Sequence, residues 1–157
     1  MTREEIFMQQ AIAVGMEGMR AGKGGPFGCV IVKNNQVIAS GCNTVLATND
    51  PTAHAEVVAI RQACAYLQSF QLTGCELYAS CEPCPMCMGA IYWARPDKVY
   101  FANTKADAAA IGFDDAFIYE EMARPMHLRK LSMQCLDSTN AIEMFAEWQE
   151  KGNKTLY

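Results

Sequence analysis

The sequence predicts an α/β fold in which helices cover a β-sheet. Two β-rich runs, CVIVK and QVIAS, flank the pair Asn34 and Asn35, which suits positive φ in a tight hairpin turn. Downstream, ELYAS and KVYFA predict strands on either side of a helix that starts near Cys84 and ends before Pro96. This alternation of strands and helices is typical of a sheet with helices packed on it.

The remaining elements follow from caps and periodicity. Thr2 and Glu5 have the spacing of a capping box, and apolar residues then recur at helical spacing as far as Gly22. Asp50 is suited to an N-cap, so we expect a second helix from there that stops before Gly74. Towards the C-terminus we expect short helical pieces within residues 106–123, an edge strand at LSMQC, and a helix from Thr139 to Glu150.

Length and composition predict one domain over residues 1–157. A chain of 157 residues can bury a core without help from a disulfide or a metal, and its 51% hydrophobic and 19% charged residues are typical of a globular protein. MTREEIF lacks the basic and apolar regions of a signal peptide, and no apolar run approaches the roughly 18 residues that a membrane helix needs. We therefore expect a soluble, cytoplasmic protein without a membrane partner.

The net charge and the cysteine content indicate the class of substrate and the state of the cysteines. The formal net charge is −4 and no stretch concentrates Lys or Arg, so the electrostatic attraction that dominates nucleic-acid binding is absent. A small molecule is therefore favoured over a polynucleotide as the substrate. Three of the eight cysteines fall within CEPCPMC, an arrangement that favours thiols and a metal over disulfides.

The feature that carries chemistry is HAE at residues 54–56 followed by PCPMC at residues 83–87. The imidazole of His54 and the thiolates of Cys84 and Cys87 are good zinc ligands. Three protein ligands leave the fourth tetrahedral position open, which indicates a catalytic Zn²⁺ rather than a structural one. Cys84 and Cys87 are three residues apart at a predicted helix start, where the helix dipole lowers thiol pKa values.

Glu56 is the candidate proton carrier. Two residues apart in mid-helix, His54 and Glu56 would diverge by about 200°, so both can serve one metal only if it lies near the helix end. Placed there, Glu56 can take a proton from an attacking water and later deliver protons to the substrate and its leaving group. Taken singly, His54 could be a core histidine and Glu56 a solvated helix charge.

A second reading uses a different set of cysteines. Cys81, Cys84 and Cys87 form a CxxCxxC cluster that could hold an iron–sulfur centre or a structural zinc ion. That reading lacks an obvious fourth cysteine and leaves HAE without a role.

At these residues the sequence resembles the cytidine deaminase superfamily, whose active-site pattern is H-x-E with P-C-x-x-C. GGPFG, NDPTAHAEV, SCEPCPMCMGAIYWARP and GFDDAFIY are together similar to the bacterial guanine deaminase family. The resemblance implies a three-layer α/β/α sandwich with a five-stranded mixed sheet, and a homodimer that exchanges C-terminal segments. It also implies hydrolysis of guanine to xanthine and ammonia, a step of purine catabolism or salvage that needs one Zn²⁺ per subunit.

The resemblance also implies roles for residues outside the zinc motif. Phe27 would stack on the purine, Asn43 would hydrogen-bond it, and the backbone at Ala55 would add a contact. Asp115 would lie near the substrate amine and assist recognition or proton transfer, although an aspartate there could also cap a turn. Tyr157 would reach into a partner subunit's site, although it could equally be a frayed terminus.

Other functions share the same motif. A tRNA adenosine deaminase has the same HAE and a closely similar cysteine segment, but the acidic balance and GFDD argue against it. A cytidine or deoxycytidylate deaminase would keep the zinc ligands and change the pocket. A metal-stabilised binding module would need the ligands but not Glu56.

Overall fold

The computed structural model describes residues 1–136 and 140–157. None of the helices in these two ranges is both long and apolar enough to cross a membrane. The elements, numbered in chain order, are α1 (Arg3–Arg20), β1 (Gly28–Lys33), β2 (Gln36–Cys42), α2 (Val45–Thr48), α3 (Ala55–Leu67), β3 (Cys75–Cys81), α4 (Pro85–Ala94), β4 (Lys98–Asn103), α5 (Lys105–Ala110), α6 (Ala116–Ala123), a 3₁₀ turn (Met126–Leu128) and α7 (Ala141–Glu150).

Local sequence signals account for most of these boundaries. The predicted capping box of α1 is confirmed, because Thr2 Oγ1 accepts from the Glu5 N–H and the Glu5 carboxylate accepts from the Thr2 N–H. Asn34 and Asn35 have φ of 51° and 62°, as a tight hairpin turn requires. The helix expected from Asp50 begins later, at Ala55, because the Asp50 carboxylate instead accepts from a backbone N–H two residues on and closes a turn.

The sheet is mixed and its strand order is β2-β1-β3-β4. β1 pairs antiparallel with both β2 and β3, whereas β3 and β4 are parallel and joined through α4. The expected fifth strand is absent from the described residues. LSMQC, at residues 131–135, forms no strand and exposes its leucine and methionine, because alternating apolar residues define a face but supply no partner strand. The start expected at Thr139 lies outside the described residues, and the helix is described from Ala141.

Helices cover both faces of the sheet, so the predicted three-layer α/β/α sandwich is confirmed. On one face α1 packs through Phe7 and Ala11 against Val30, Val32 and Tyr78. On the other face α3 and α4 pack on the side chains that alternate with these along the strands, as strand geometry dictates. This second core comprises Cys29, Ile31, Ala39, Ala55, Ala59, Ala63, Leu72, Cys75, Leu77, Ala79, Ile91 and Ala94.

Two glycines let α1 approach β1 closely. A Cβ added at Gly28 would lie 2.0 Å from the Ala11 carbonyl oxygen and 2.5 Å from the Gly15 nitrogen. A Cβ at Gly15 would lie 2.7 Å from the Gly28 nitrogen. Because all these neighbours are backbone atoms, no side-chain movement can relieve the contact, and both positions require glycine.

The chain divides into two compact units, Met1–Ala116 and Phe117–Tyr157. The first unit holds the whole sheet and all the zinc-motif residues. Within the second, the Arg129 side chain donates to the carbonyl oxygens of Met122 and Arg124. The expectation of a single domain over residues 1–157 stays a prediction.

The close approach of α1 to β1 predicts the cost of adding a methyl group there. Gly28→Ala should lower the free energy of unfolding in urea by about 1–3 kcal/mol, because overpacking forces the two backbones apart. Gly89 is the matched control, since it lies in α4 with nothing within 4 Å of its added Cβ. Gly89→Ala should raise stability by about 0.5–1 kcal/mol. Equal effects at the two glycines would contradict this packing.

Candidate active site

The N-termini of α3 and α4 lie next to each other, and a residue of the zinc motif directly precedes each helix. His54 immediately precedes α3 with extended backbone (φ −69°, ψ 156°), and Cys84 precedes α4 in a similar conformation (φ −67°, ψ 168°). Neither side chain makes a capping hydrogen bond to its own helix. Both side chains can therefore turn towards a common metal ion. Glu56 follows in the first turn of α3, and Cys87 in the first turn of α4. This is the helix-end position that the sequence required of a shared metal.

The candidate ligand atoms of His54, Cys84 and Cys87 all lie within 4.8 Å of one another. The sulfur atoms of Cys84 and Cys87 are each 3.5 Å from His54 Nδ1. In a tetrahedral site with the usual zinc–sulfur and zinc–nitrogen bond lengths, these ligand atoms would stand about 3.5 Å apart. Both the spacing and the donor types therefore fit Zn²⁺.

The electrostatics favour an anionic sulfur at Cys84. Interactions with Cys87 and His54 lower the pKa of Cys84 to about 4. Contact with Cys84 is in turn the chief cause that raises the pKa of Cys87 and that of His54. The site thus already stabilises one thiolate, and a divalent cation would stabilise the second.

Cys81 does not join this group. Its thiol donates to the Thr104 carbonyl oxygen at 3.6 Å, and burial is the chief cause that raises its pKa to about 11. Among the described residues, the potential metal ligands that cluster together are His54, Cys84 and Cys87. The geometry therefore favours the His–Cys–Cys reading over CxxCxxC.

Glu56 lies beside the candidate ligands and is almost completely buried, with 8% of its surface exposed. Its Oε2 accepts a hydrogen bond from the Cys87 thiol at 3.3 Å. Burial raises the pKa of the Glu56 carboxyl, because a charged carboxylate is poorly solvated there. A buried carboxyl next to an open metal position is well suited to move protons.

Asn43 lies just beyond the end of β2 and is also buried, with 5% of its surface exposed. Its backbone N–H donates to the Phe27 carbonyl oxygen at 3.0 Å, and its side-chain Oδ1 accepts from the Val45 backbone N–H at 3.1 Å. With Oδ1 engaged, the side-chain amide is the group with donors to offer a ligand. Ala55 is buried in the first turn of α3, where backbone N–H groups lack intrahelical acceptors.

Phe27 forms an aromatic pair with Phe113. The ring centroids are 4.9 Å apart and the rings are perpendicular, so the edge of one ring meets the face of the other. Phe27 also packs against the core beneath α3 and α4. Sequence reasoning missed Phe113, although its position inside GFDD could have drawn attention to it.

The two aspartates of GFDD differ in role. Asp114, not Asp115, caps the local turn, since its Oδ1 accepts from the Ala116 N–H at 2.9 Å. Asp115 is half-buried, and its pKa is raised first by burial and then by the negative charge of Cys84. The role of Asp115 stays a prediction. Tyr157 ends the second unit and is 70% exposed, so its role stays a prediction.

Comparison with known proteins defines the class. Residues 1–103 match the family described as the cytidine and deoxycytidylate deaminase zinc-binding region. The chain belongs to this family. It is a deaminase of the zinc-dependent kind, with His54, Cys84 and Cys87 as its candidate zinc ligands.

Within that class the chain is similar over nearly its whole length to the guanine deaminase of Bacillus subtilis (strain 168). The two are 51% identical over 153 residues, which are 98% of each chain, and the solved structure of that enzyme superposes with a TM-score of 0.95 over 98% of each. A tRNA-specific adenosine deaminase of Aquifex aeolicus is 40% identical over 99 residues, which are 63% of this chain and 65% of that one. A structure solved in complex with 2,6-diaminopurine is 34% identical, with a TM-score of 0.69 over 71% of this chain and 62% of that one.

Removal of one candidate ligand should empty the metal site. In Cys84→Ala, we expect zinc content measured by atomic absorption to fall from about one ion per chain to near zero, because two remaining ligands bind zinc poorly. Cys135→Ala, which removes an exposed thiol of the second unit, is the control and should keep its zinc. Full occupancy in the Cys84 variant would contradict the ligand set.

Proposed function

We propose that this protein hydrolyses the exocyclic amino group of free guanine and releases xanthine and ammonia. The observation that carries the proposal is similarity to a guanine deaminase over 98% of both chains, compared with 63% of this chain for the tRNA-specific enzyme. Phe113 and Asp115 lie beyond residue 103, where the shared zinc-binding region ends. Asp115 is expected to select the substrate together with Phe27 and Asn43, because the zinc chemistry is common to the family and cannot do so.

A planar purine suits the chemistry of the surrounding groups. The Phe27 ring, which packs perpendicular to the Phe113 ring, offers an aromatic surface for stacking. The buried amide of Asn43 and the N–H of Ala55 offer hydrogen bonds at the edge of the ring. A free base fits these groups without any need for contacts to a sugar or phosphate.

The reaction adds water to C2 of guanine and expels the amino group. When bound to His54, Cys84 and Cys87, Zn²⁺ supplies the Lewis acidity that makes water a nucleophile near neutral pH. The Glu56 carboxylate accepts the proton that water loses and passes it to the adjacent ring nitrogen. Glu56 then takes the proton of the hydroxyl group added at C2 and delivers it to the amine, so that the C2–N bond breaks, ammonia departs and a carbonyl remains at C2. One carboxyl thus acts as base and as acid.

Asp115 would recognise the amino group that leaves. Its half-buried carboxyl is influenced by the charge of Cys84, which supports a location near the metal ligands. A carboxylate accepts hydrogen bonds from an exocyclic amine, and guanine carries its amine on C2. This contact would orient C2 towards the attacking water.

We also propose that residues 1–157 act as one deaminase domain in a cytoplasmic homodimer. Large apolar side chains are exposed in both units, including Tyr92 at 75%, Ile142 at 70% and Phe145 at 70%. Such apolar surface is typical of an interface between protein chains. Exchange of the C-terminal segment would bring Tyr157 to the partner's site, where it would close over the base.

Replacement of the proton carrier should separate metal binding from catalysis. Glu56→Gln should keep its zinc but lose about 100-fold to 10,000-fold in kcat, because the amide cannot accept the proton. Glu17→Gln, which changes an exposed glutamate on α1, is the control and should match the wild type. Turnover at the wild-type rate by the Glu56 variant would exclude Glu56 as the proton carrier.

The substrate is tested by ammonia release from the zinc-loaded protein. Guanine, guanosine, cytosine, cytidine and an adenosine-containing tRNA stem-loop are offered separately. We expect release from guanine alone. Release from cytidine or the stem-loop alone would be consistent with the zinc chemistry but would contradict the proposed substrate. If none of the five compounds releases ammonia, the proposed deaminase activity is contradicted.

A further inference from the structure

Three polar residues are buried among the described residues: Asn43, Glu56 and Ser80. Asn43 is already proposed to bind the base, and Glu56 is proposed to carry protons. Ser80 is 6% exposed and has none. Because burial of a hydroxyl is costly unless it is hydrogen-bonded, its partner indicates its purpose.

The Ser80 hydroxyl oxygen accepts a hydrogen bond from the Gly28 N–H at 2.9 Å. Backbone pairing between β1 and β3 runs from Lys33↔Cys75 to Cys29↔Ala79. Gly28 and Ser80 are the next residues along each strand at this end. A side chain therefore joins the two strands at the end of their backbone pairing.

This hydrogen bond acts on the segment proposed to hold the base. Gly28 directly follows Phe27, whose carbonyl oxygen accepts from the Asn43 N–H at 3.0 Å. On its other side Gly28 is pressed against the backbone of Gly15. The position of Phe27 and Asn43 therefore depends on what holds Gly28.

Ser80 also stands next to the segment that carries the metal ligand. β3 ends at Cys81, and Cys84 follows three residues later at the start of α4. One hydrogen bond thus joins the strand that leads to Cys84 with the strand that follows Phe27.

We propose that Ser80 is a positioning residue, whose hydroxyl holds the segment that carries the base-binding pair, Phe27 and Asn43, in its place beside β3. This rests on the proposed function, since it assumes that Phe27 and Asn43 bind the ring. Ser80 is neither one of the candidate metal ligands nor one of the residues proposed to bind the base. Its loss should weaken ring binding equally in the ground state and the transition state, which raises KM and leaves kcat nearly unchanged.

The test compares Ser80→Ala with Ser80→Thr in the full-length, zinc-loaded protein. The alanine variant leaves the Gly28 N–H without its acceptor, so KM for guanine should rise about tenfold while kcat changes less than about threefold. The threonine variant keeps a hydroxyl and should restore KM to within about threefold of the wild type. Zinc content should be unchanged in both.

Ser69→Ala is the matched control. The Ser69 hydroxyl also accepts from a backbone N–H, that of Gln71 at 3.0 Å, but it lies past the far end of α3 from His54. Its kinetic constants should equal those of the wild type, even if the melting temperature falls as much as in the Ser80 variant. Should Ser80→Ala fail to fold, Ser80→Cys, whose sulfur accepts hydrogen bonds weakly, should show the same rise in KM.

The outcomes separate the two proposals. If the wild type deaminates guanine and KM is unchanged in Ser80→Ala, or if threonine fails to restore it, the role of Ser80 is overturned and the function stands. A variant that loses zinc, or loses kcat with KM unchanged, also overturns it. If the wild type deaminates a different compound, the proposed substrate fails, and the same comparison of KM on that compound decides the role of Ser80.

Discussion

The convergence of two helix N-termini is the constraint on which the site depends. α3 and α4 lie on the same face of the sheet, and each starts directly after a metal-motif residue, His54 or Cys84. At these ends the unpaired N–H groups and the helix dipoles favour negative charge. The two sulfurs can therefore be held close to each other and to His54 Nδ1 without repulsion that would disrupt the fold. Because Glu56 is in the first turn of α3, the same convergence buries it beside Cys87.

The sheet brings further residues to this meeting point. β1 and β2 are antiparallel with Gly28 opposite Cys42, so Phe27 and Asn43 emerge together at one end of the hairpin. β3 runs antiparallel to β1 and delivers Cys84 at that same end. Phe27 and Asn43, which are proposed to bind the base, and the candidate metal ligands therefore lie at one edge of the sheet, although they are far apart in the chain. The hydroxyl of Ser80 connects the two sets there.

The sequence was most informative where a function depends on neighbouring residues. HAE and PCPMC predict a ligand set because metal ligands need fixed short spacings, and the capping box of α1 is equally local. Ser80 and Phe113 could not be found in this way, since their partners Gly28 and Phe27 lie in distant segments. The prediction of an edge strand at LSMQC is wrong, because alternating apolar residues define one face of a strand but do not supply a partner strand. Asp114 and Asp115 have the same side chain, and only the backbone shows which of them caps the turn.

X-ray absorption at the zinc edge of the purified, zinc-loaded protein tests the convergence of the two helices most directly. We expect two sulfur neighbours at about 2.3 Å and two lighter neighbours at about 2.0 Å, namely His54 and one oxygen from solvent. The number of sulfurs should fall to one in Cys87→Ser. A shell of three or four sulfurs would mean that Cys81 or another cysteine binds the metal. A shell without sulfur would mean that Cys84 and Cys87 do not, and either result would contradict the site described.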